Sequence, residues 1–357
     1  MIKILHTGDW HLDAPMHGRT SQQTKLLKKA FAELPHKVAE LCLQHQCDLL
    51  LLTGDIFDGT YTKESYQRLY AALESVKIPV IITPGNHDFV CPTSPWTGEL
   101  WPQNVHIFTH PTVEAIVLPE LNCKVYGGGF TAMDCPSLLT EFKAEGAEAY
   151  HIGVFHGDPT QVNSPYNPIT TQQVADSGLD YLALGHIHKG DSIRSGKTLC
   201  AWPGCAMGHG YDEQGQKGVL LVTIDSQTTT EFIGLNFPAF YDWEVPVTTT
   251  PQGALQQVLP PVGSEDFYRI TLTGTCQAPD LDALYESFSR FPNLELRDRT
   301  TAPVDTWKAL GEDSLEGIYF GMLKNAQTGA EDKEKAQIEL AAYISRQLLD
   351  GQEVTLL

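Results

Sequence analysis

Three short and almost wholly apolar runs dominate the first quarter of the chain and place the strongest constraint on its fold. They are IKILHT, DLLLLT and IPVIIT, at residues 2–7, 48–53 and 78–83. Between them, residues 21–46 and 62–76 carry apolar side chains at helical spacing. Buried parallel strands have continuous apolar sequences because helices cover both faces of their sheet. The pattern therefore predicts alternating strands and helices, with parallel strands covered on both faces.

Further strands are predicted beyond residue 100, and most of the connections between them are short. The predicted segments are 104–109, 113–118, 121–126, 150–155, 180–184, 198–201, 218–224 and 230–234. Short connections are typical of hairpins rather than of βαβ crossovers. A two-sheet α/β sandwich accommodates both the parallel half and the hairpin half, and it is the predicted fold class.

The pattern changes near residue 236. Residues 266–274, 280–291 and 293–299 have the spacing of a strand, a helix and a strand. Apolar side chains at helical spacing then predict two more helices, the first capped at Asp313. The predicted division is a main domain at 1–235, a small α/β capping domain at 236–300 and a C-terminal helical segment at 301–357.

Composition and charge exclude several classes of protein. Hydrophobic residues make up 42% of the 357 residues and charged residues 19%, which favours a large globular chain over a disordered one. No apolar run approaches the length of a bilayer-spanning helix, and the N-terminus does not resemble a leader, so we expect a cytoplasmic protein without a membrane anchor. The eight cysteines form no CxxC pair, which predicts free and buried thiols. A net charge of −20 argues against non-specific coating of nucleic acid.

Five polar motifs each follow a predicted strand. They are GDWH with Asp9 and His11, TGDIFD with Asp55, PGNHD with Asn86, His87 and Asp88, VFHGD with His156, and ALGHIH with His186 and His188. Ligands of open α/β sheets gather at the carboxyl ends of the strands, so these side chains are expected to meet at one rim. Carboxylate, imidazole and amide donors favour manganese, iron or zinc over a thiolate-bound metal. Two such ions about 3.5–4 Å apart suit in-line displacement at phosphorus.

Each motif taken alone also has a structural explanation. The aspartate of a D-x-H motif can cap a loop, and Gly-Asp is a common turn. The five motifs together, in this order and each behind a strand, argue against that explanation.

The series D-x-H, GD, GNHD, H and GH-x-H resembles the calcineurin-like metallophosphoesterase superfamily over residues 1–235. More narrowly, HLDAPMHG, GNHDFVCPTSPW, SPYNPI and LDYLALGHIH resemble the SbcD- and YhaO-like DNA-repair exonucleases. The resemblance implies two divalent metal ions, with Mn2+ first and iron, zinc or magnesium as alternatives.

The resemblance also assigns roles to single residues. One metal would be held by Asp9, His11, Asp55 and His188, and the other by Asp55, Asn86, His156 and His186, with Asp55 bridging. His87 would be the general acid for the leaving oxygen, with Asp88 orienting it. Two further residues are candidate phosphate contacts: Asp58, where some nucleases of this group have histidine, and His209 in the loop AMGHGYDEQG.

The leading hypothesis is a manganese-dependent DNA exonuclease or endonuclease of DNA repair. A phosphodiesterase acting on a small nucleotide is the main alternative, and the acidic composition favours it. A third hypothesis is a scaffold subunit that holds DNA ends for an ATPase. The resemblance further implies a homodimer and a coiled-coil ATPase partner of the SbcC or YhaN type.

Overall fold

The computed structural model of the chain describes residues 1–351 and Val354. The strands are β1 (Ile2–Thr7), β2 (Leu49–Leu52), β3 (Val80–Ile82), β4 (Val105–Ile107), β5 (Glu114–Leu118), β6 (Cys123–Gly128), β7 (Tyr150–His156), β8 (Tyr181–Gly185), β9 (Lys189–Ser195), β10 (Thr198–Gly204), β11 (Gly218–Ile224), β12 (Thr228–Gly234), β13 (Phe240–Pro246), β14 (Phe267–Thr273) and β15 (Leu294–Asp298). The helices are α1 (Ser21–Gln44), α2 (Lys63–Val76), α3 (Pro95–Gly98), α4 (Thr171–Asp176), α5 (Pro251–Val258), α6 (Leu281–Ser287), α7 (Leu315–Gln327) and α8 (Asp332–Leu349).

Two six-stranded sheets form the body of the fold, and they confirm the predicted α/β sandwich. The first has the order β12-β11-β1-β2-β3-β4, in which β1 to β4 are parallel. The second has the order β5-β6-β7-β8-β10-β9, and its four central strands are also parallel. A third sheet has three strands in the order β13-β14-β15.

The prediction that the second sheet is built of hairpins is wrong in part. Antiparallel pairs occur at β5–β6, β9–β10 and β11–β12, but β6, β7, β8 and β10 lie parallel to one another. The segments 129–149 and 157–180 are long enough to return the chain to the same edge, as parallel pairing requires. The prediction also missed β9, a largely exposed edge strand that lacks an apolar run.

The central strands are buried on both faces, which explains their apolar sequences. In β2, Leu49 and Leu51 belong to the core between the two sheets, while Leu50 and Leu52 belong to the core under α1 and α2. Successive strand residues point to opposite faces, so a strand with no solvent-facing side must be apolar at every position.

The two long helices begin where short polar side chains cap them. Thr20 and Gln23 form a capping box at the start of α1, and Thr62 accepts a hydrogen bond from the Ser65 amide at the start of α2. Such caps satisfy backbone donors that the first helical turn leaves free. They set the lengths of the loops that follow β1 and β2.

These two loops are held together by backbone hydrogen bonds. The Asp9 amide donates to the Gly54 carbonyl at 3.0 Å, and the His11 amide donates to the Asp55 carbonyl at 2.9 Å. Gly54 has a φ of +89°, and a Cβ at this position would lie 2.6 Å from His156 Nδ1. Only glycine meets both requirements, so the Gly-Asp motif lets the loop after β2 pass close beneath the polar side chains.

A buried histidine links the two sheets below this rim. His6 on β1 is hydrogen-bonded through Nδ1 to the Tyr181 hydroxyl at 2.7 Å and through Nε2 to the Leu184 carbonyl oxygen at 3.1 Å. Burial lowers the pKa of His6 to about 3, so the ring is neutral and serves as a hydrogen-bonding bridge.

The chain forms two compact units. Unit 1 comprises Met1–Asp242, Ser264–Arg269 and Phe291–Asn293, and unit 2 comprises Trp243–Gly263, Ile270–Arg290 and Leu294–Leu357. The domain boundaries predicted at residues 235 and 300 stay predictions.

Unit 2 contains α5 to α8 and has a small core of its own. In it, Phe320 on α7 packs with Ala342 on α8. The cap of α7 is Ser314, whose side chain accepts from the Gly317 amide, and not Asp313 as predicted. Over the described residues, no helix combines the length and the apolarity needed to cross a bilayer. All eight cysteines are free, as predicted.

Candidate metal centre

The predicted ligands all lie where strands of the two sheets end. They are Asp9 after β1, Asp55 after β2, Asn86 after β3, His156 at the end of β7, and His186 and His188 after β8, with His11 in the same loop as Asp9. Most of them are buried. The two sheets therefore bring side chains from distant parts of the sequence to one rim.

A first group of donors consists of Asp9, His11 and His188, whose ligand atoms lie within 4.8 Å of one another. The Nε2 atoms of His11 and His188 are 3.1 Å apart. A single ion about 2.0–2.1 Å from each nitrogen would account for so close an approach of two ring nitrogens.

A second group consists of Asp55, His156 and His186, again with ligand atoms within 4.8 Å. Asn86 joins it, because its Oδ1 lies 2.9 Å from His156 Nε2 and 3.2 Å from His186 Nδ1. The amide oxygen therefore faces the same point as the two rings.

Asp55 lies between the two groups. Its Oδ2 is 3.3 Å from His156 Nε2 in the second group and 3.8 Å from His11 Nε2 in the first. This placement suits a carboxylate that bridges two ions. It agrees with the role that the sequence resemblance implies for Asp55.

The donor set fits two divalent ions of borderline hardness. It consists of imidazole nitrogens and of carboxylate and amide oxygens. The nearby thiol of Cys205 is directed instead at the His188 carbonyl oxygen, at 3.7 Å. Nitrogen and oxygen donors of this kind suit manganese, iron or zinc.

Four of these residues have an unusual backbone. The φ angles are +51° at Asp9, +46° at His11, +50° at Asp55 and +93° at His186. Residues with a Cβ rarely adopt such angles, and where they do so the surrounding structure must hold them. Here the His186 amide donates to both oxygens of the Asp9 carboxylate, at 2.9 and 3.0 Å.

Electrostatics in the metal-free centre favour protons on the histidines. Burial alone lowers the pKa of His156, but the carboxylates of Asp55 and Asp9 outweigh it and raise the pKa to about 9. Burial would raise the pKa of Asp55, but His156 and His11 outweigh it and lower the pKa. Protons on imidazole therefore offset the buried negative charge that bound cations would offset.

The predicted role of Asp88 needs correction. Its carboxylate does not contact the His87 ring but accepts four hydrogen bonds from backbone amides, those of Gly85, Asp55, Ile56 and Phe57, at 2.7–3.3 Å. Burial, with the charge of Asp55, raises the pKa of Asp88 to about 7. Asp88 therefore ties the loop after β3 to the loop after β2.

The residue that orients His87 is Asp58. Its Oδ1 is 2.7 Å from His87 Nδ1 and 3.4 Å from His11 Nδ1. The His87 side chain is 45% exposed, while its backbone amide donates to Asp55 Oδ1 at 2.8 Å. Asp58, predicted as a phosphate contact, thus lies against two imidazole rings, and His87 presents its free edge to solvent.

His209, the other predicted phosphate contact, lies beside the first group. Its ring centroid is 5.7 Å from that of His11 and 4.4 Å from that of Phe31. Contact between His209 and phosphate stays a prediction.

Two neighbours of the centre were not predicted from the sequence. The Tyr166 ring lies 4.8 Å from the ring of His186, and the Glu213 carboxylate is hydrogen-bonded to His188. Tyr166 stands in the SPYNPI segment and Glu213 in the glycine-rich loop that holds His209. These positions were visible in the sequence, but their contacts were not, because each depends on how a long loop returns to the rim.

The model of the calcineurin-like phosphoesterase family matches residues 2–190, which is more than half of the chain. The chain belongs to this family. Its matched region contains all seven predicted ligands, His87 and Asp58. Family membership and the donor set together support metal-dependent phosphoester hydrolysis.

Relatives agree with the narrower resemblance. The chain is 28% identical to the uncharacterized metallophosphoesterase YhaO of Bacillus subtilis over 263 residues, which cover 68% of this chain and 62% of that protein. It is 24% identical to SbcD, one of the two components of the nuclease SbcCD of the same organism, over 62% of this chain and 66% of the relative. The predicted likeness to SbcD- and YhaO-like proteins is confirmed, and the chain spans less than two thirds of the length of these two relatives.

A solved structure is similar at lower identity. A dimetal phosphatase from Danio rerio aligns at 11% identity with a TM-score of 0.44, over 66% of this chain and 96% of the phosphatase.

The electrostatics of the centre predict that binding of metal releases protons. At pH 7 His156 is charged in the metal-free protein, because its pKa of about 9 lies above that pH, whereas a ligand imidazole must be neutral. Titration calorimetry of Mn2+ in two buffers with different ionisation enthalpies should give about one or more protons released. The apparent affinity should rise roughly tenfold per pH unit and per proton between pH 7 and 9. Binding of metal with no proton release at pH 7 would contradict this expectation.

Proposed function

We propose that the chain is a phosphodiesterase that depends on two divalent ions, most readily Mn2+, and cleaves DNA in a repair process. The observation that carries the phosphodiesterase assignment is the position of Asp55 Oδ2 between two groups of donors. An exposed imidazole on the same loop system, His87, lies next to this pair of groups. A bridged pair of sites with a proton donor beside it suits in-line displacement at phosphorus.

The chain's own residues would divide the work. Two divalent ions, when bound, supply charge stabilisation and activation of water for attack on phosphorus. His87 Nδ1 is hydrogen-bonded to Asp58 Oδ1, so Nε2 is the atom from which a proton can pass to the leaving oxygen. Asp58 also stabilises the charged ring and fixes its direction. Asp88 holds the loop so that the backbone of His87 stays bonded to Asp55.

The surroundings of the centre favour a long substrate. Three cavities of about 490, 330 and 460 Å³ open beside it, and each is lined by one histidine of the centre or its proton donor, namely His11, His87 and His188. A small nucleotide needs one such cavity. A polymer that enters and leaves the site needs several, which supports a nucleic acid.

The third cavity has features that suit a nucleic-acid strand. It starts at His188 and is lined by Lys189, Lys217 and Phe232, and the Phe232 side chain is half exposed. Lysines can follow a phosphate backbone while an exposed aromatic ring stacks on a base. The cavity lies between β9 and β12, the edge strands of the two large sheets.

The names of the relatives add support for DNA, since one relative is a component of a nuclease. The net charge of −20 favours the alternative, hydrolysis of a small nucleotide. The two candidates differ in whether cations beyond the donor groups contribute to turnover.

Unit 2 offers a surface that supports the predicted coiled-coil ATPase partner. Leu315, Ile318 and Met322 lie on one face of α7 and are 87%, 57% and 68% exposed. An apolar stripe at this spacing suits packing against another helix. The ATPase partner and the homodimer stay proposals.

Replacement of His87 by alanine tests the enzymatic proposal against the scaffold hypothesis. We expect His87→Ala to lower kcat for cleavage of end-labelled DNA with Mn2+ by roughly 10²–10⁴-fold, because the leaving oxygen loses its proton donor. Metal binding measured by calorimetry should persist, since His87 belongs to neither donor group. His36→Ala, at an exposed position on α1, is the matched control. Unchanged cleavage by the His87 variant would refute the proposed role.

A charge-removal pair separates DNA from a small diester as the substrate. The double variant Lys189→Gln and Lys217→Gln should bind DNA more weakly, and the log–log salt slope of binding should fall by roughly 0.7–0.9 per lost phosphate contact. Hydrolysis of bis(p-nitrophenyl) phosphate should be unchanged. Lys333→Gln with Lys335→Gln removes the same charge from α8 and is the control. Equal loss for both substrates, or none for DNA, would count against a DNA path along this cavity.

A further inference from the structure

The Glu213 side chain is turned into the protein while its neighbours point to solvent. It lies in the loop between β10 and β11, and its side chain is only 10% exposed, whereas Asp212 and Gln214 are exposed. An ionised carboxylate in a buried position needs hydrogen-bonding or charged partners to offset lost hydration. The partners of Glu213 therefore indicate why it is there.

Both oxygens of Glu213 have partners near the first donor group. Oε1 accepts a hydrogen bond from His188 Nδ1. Oε2 accepts one from the His209 amide at 2.6 Å and lies 3.5 Å from His209 Nδ1. The carboxylate thus links the ligand strand end after β8 to the loop that carries Glu213 itself.

The contact with His188 fixes which ring nitrogen is free. With Nδ1–H donating to Glu213, the lone pair is on Nε2, the atom that lies 3.1 Å from His11 Nε2. Other ligand rings are held through the same atom by other groups: His156 Nδ1 donates to the Thr53 carbonyl at 2.9 Å, and His11 Nδ1 is 3.4 Å from Asp58. A carboxylate partner both orients a ligand imidazole and increases its basicity.

We propose that Glu213 is a positioning residue for the ion held by Asp9, His11 and His188, and that it acts through His188. The inference rests on the proposed function, because it takes His188 as a metal ligand. Glu213 supports the same group a second time through His209, whose ring packs edge-on against His11. The second donor group has no such contact with Glu213 in the described part of the chain.

A different role for the same residues is a third metal site. The ligand atoms of His188, Cys205 and Glu213 also lie within 4.8 Å of one another. Two contacts oppose this role. The Cys205 thiol donates to the His188 carbonyl, and Glu213 is already bonded to the His209 amide and the His188 ring.

The test compares Glu213→Gln with Asp212→Asn, which changes the same charge at the next, exposed position. Metal-depleted protein is titrated with Mn2+, and free Mn2+ is followed by electron paramagnetic resonance. We expect two sites in the unsubstituted protein. In Glu213→Gln one site should weaken by roughly 10–100-fold while the other changes by less than about twofold. Asp212→Asn should keep both affinities.

A purely structural role predicts a different result. If Glu213 only stabilised the loop, Glu213→Gln would lower the unfolding midpoint of the metal-free protein and weaken both sites together, and the proposal would be wrong. Unchanged affinities in Glu213→Gln would also refute it. If the unsubstituted protein binds fewer than two ions, the two-metal assignment fails first, and this inference fails with it.

A measurement on the unsubstituted protein covers the case in which the variant does not fold. In zinc-loaded protein, nitrogen-15 spectra of the His188 ring should show a slowly exchanging proton on Nδ1 and a metal-bound Nε2. A proton on Nε2, or an Nδ1 proton that exchanges as fast as that of an exposed histidine, would overturn the proposal.

Discussion

The burial of three carboxylates at the ends of the central strands is the constraint on which the rest of the site depends. Asp9, Asp55 and Asp88 are almost wholly removed from solvent. An unpaired buried charge is costly, so each must find donors or cations. Asp88 is satisfied by four backbone amides, whereas Asp9 and Asp55 face the imidazole rings. Two bound cations would offset this remaining charge, and without them protons on the histidines do so in part.

The backbone around the carboxylates is shaped by the same need. The loops after β1 and β2 must come close enough to be bonded through Asp9 and His11, which places four ligand residues in the left-handed region. Gly54 and Gly85 make the approach feasible, since a Cβ at Gly85 would lie 2.2 Å from Asp55 Oδ1. Strain at these positions is held by hydrogen bonds that also aim the donors. The rigid sheets below, with few polar groups other than the bonded His6, keep this arrangement in place.

The sequence predicted the sandwich and the seven ligands because both depend on local patterns. An apolar run followed by glycine and a polar ligand marks a buried strand and its carboxyl end, whatever the partner strands are. The parallel pairing of β6, β7 and β8 was missed because long connections without helices resemble chains of hairpins. Asp88 was assigned to His87 because the two are adjacent in sequence. In space the ring is bonded to Asp58, and the Asp88 carboxylate turns to the backbone. Glu213 could not be predicted, since its contact with His188 spans 25 residues and depends on a loop's path.

The central claim is that this rim holds two ions bridged by Asp55. The most direct test is anomalous X-ray diffraction at the manganese edge from crystals soaked in Mn2+. We expect two peaks about 3.5–4 Å apart, with Asp55 between them, His11 and His188 beside one, and His156, His186 and Asn86 beside the other. A single peak, or two peaks without a shared Asp55 ligand, would contradict it.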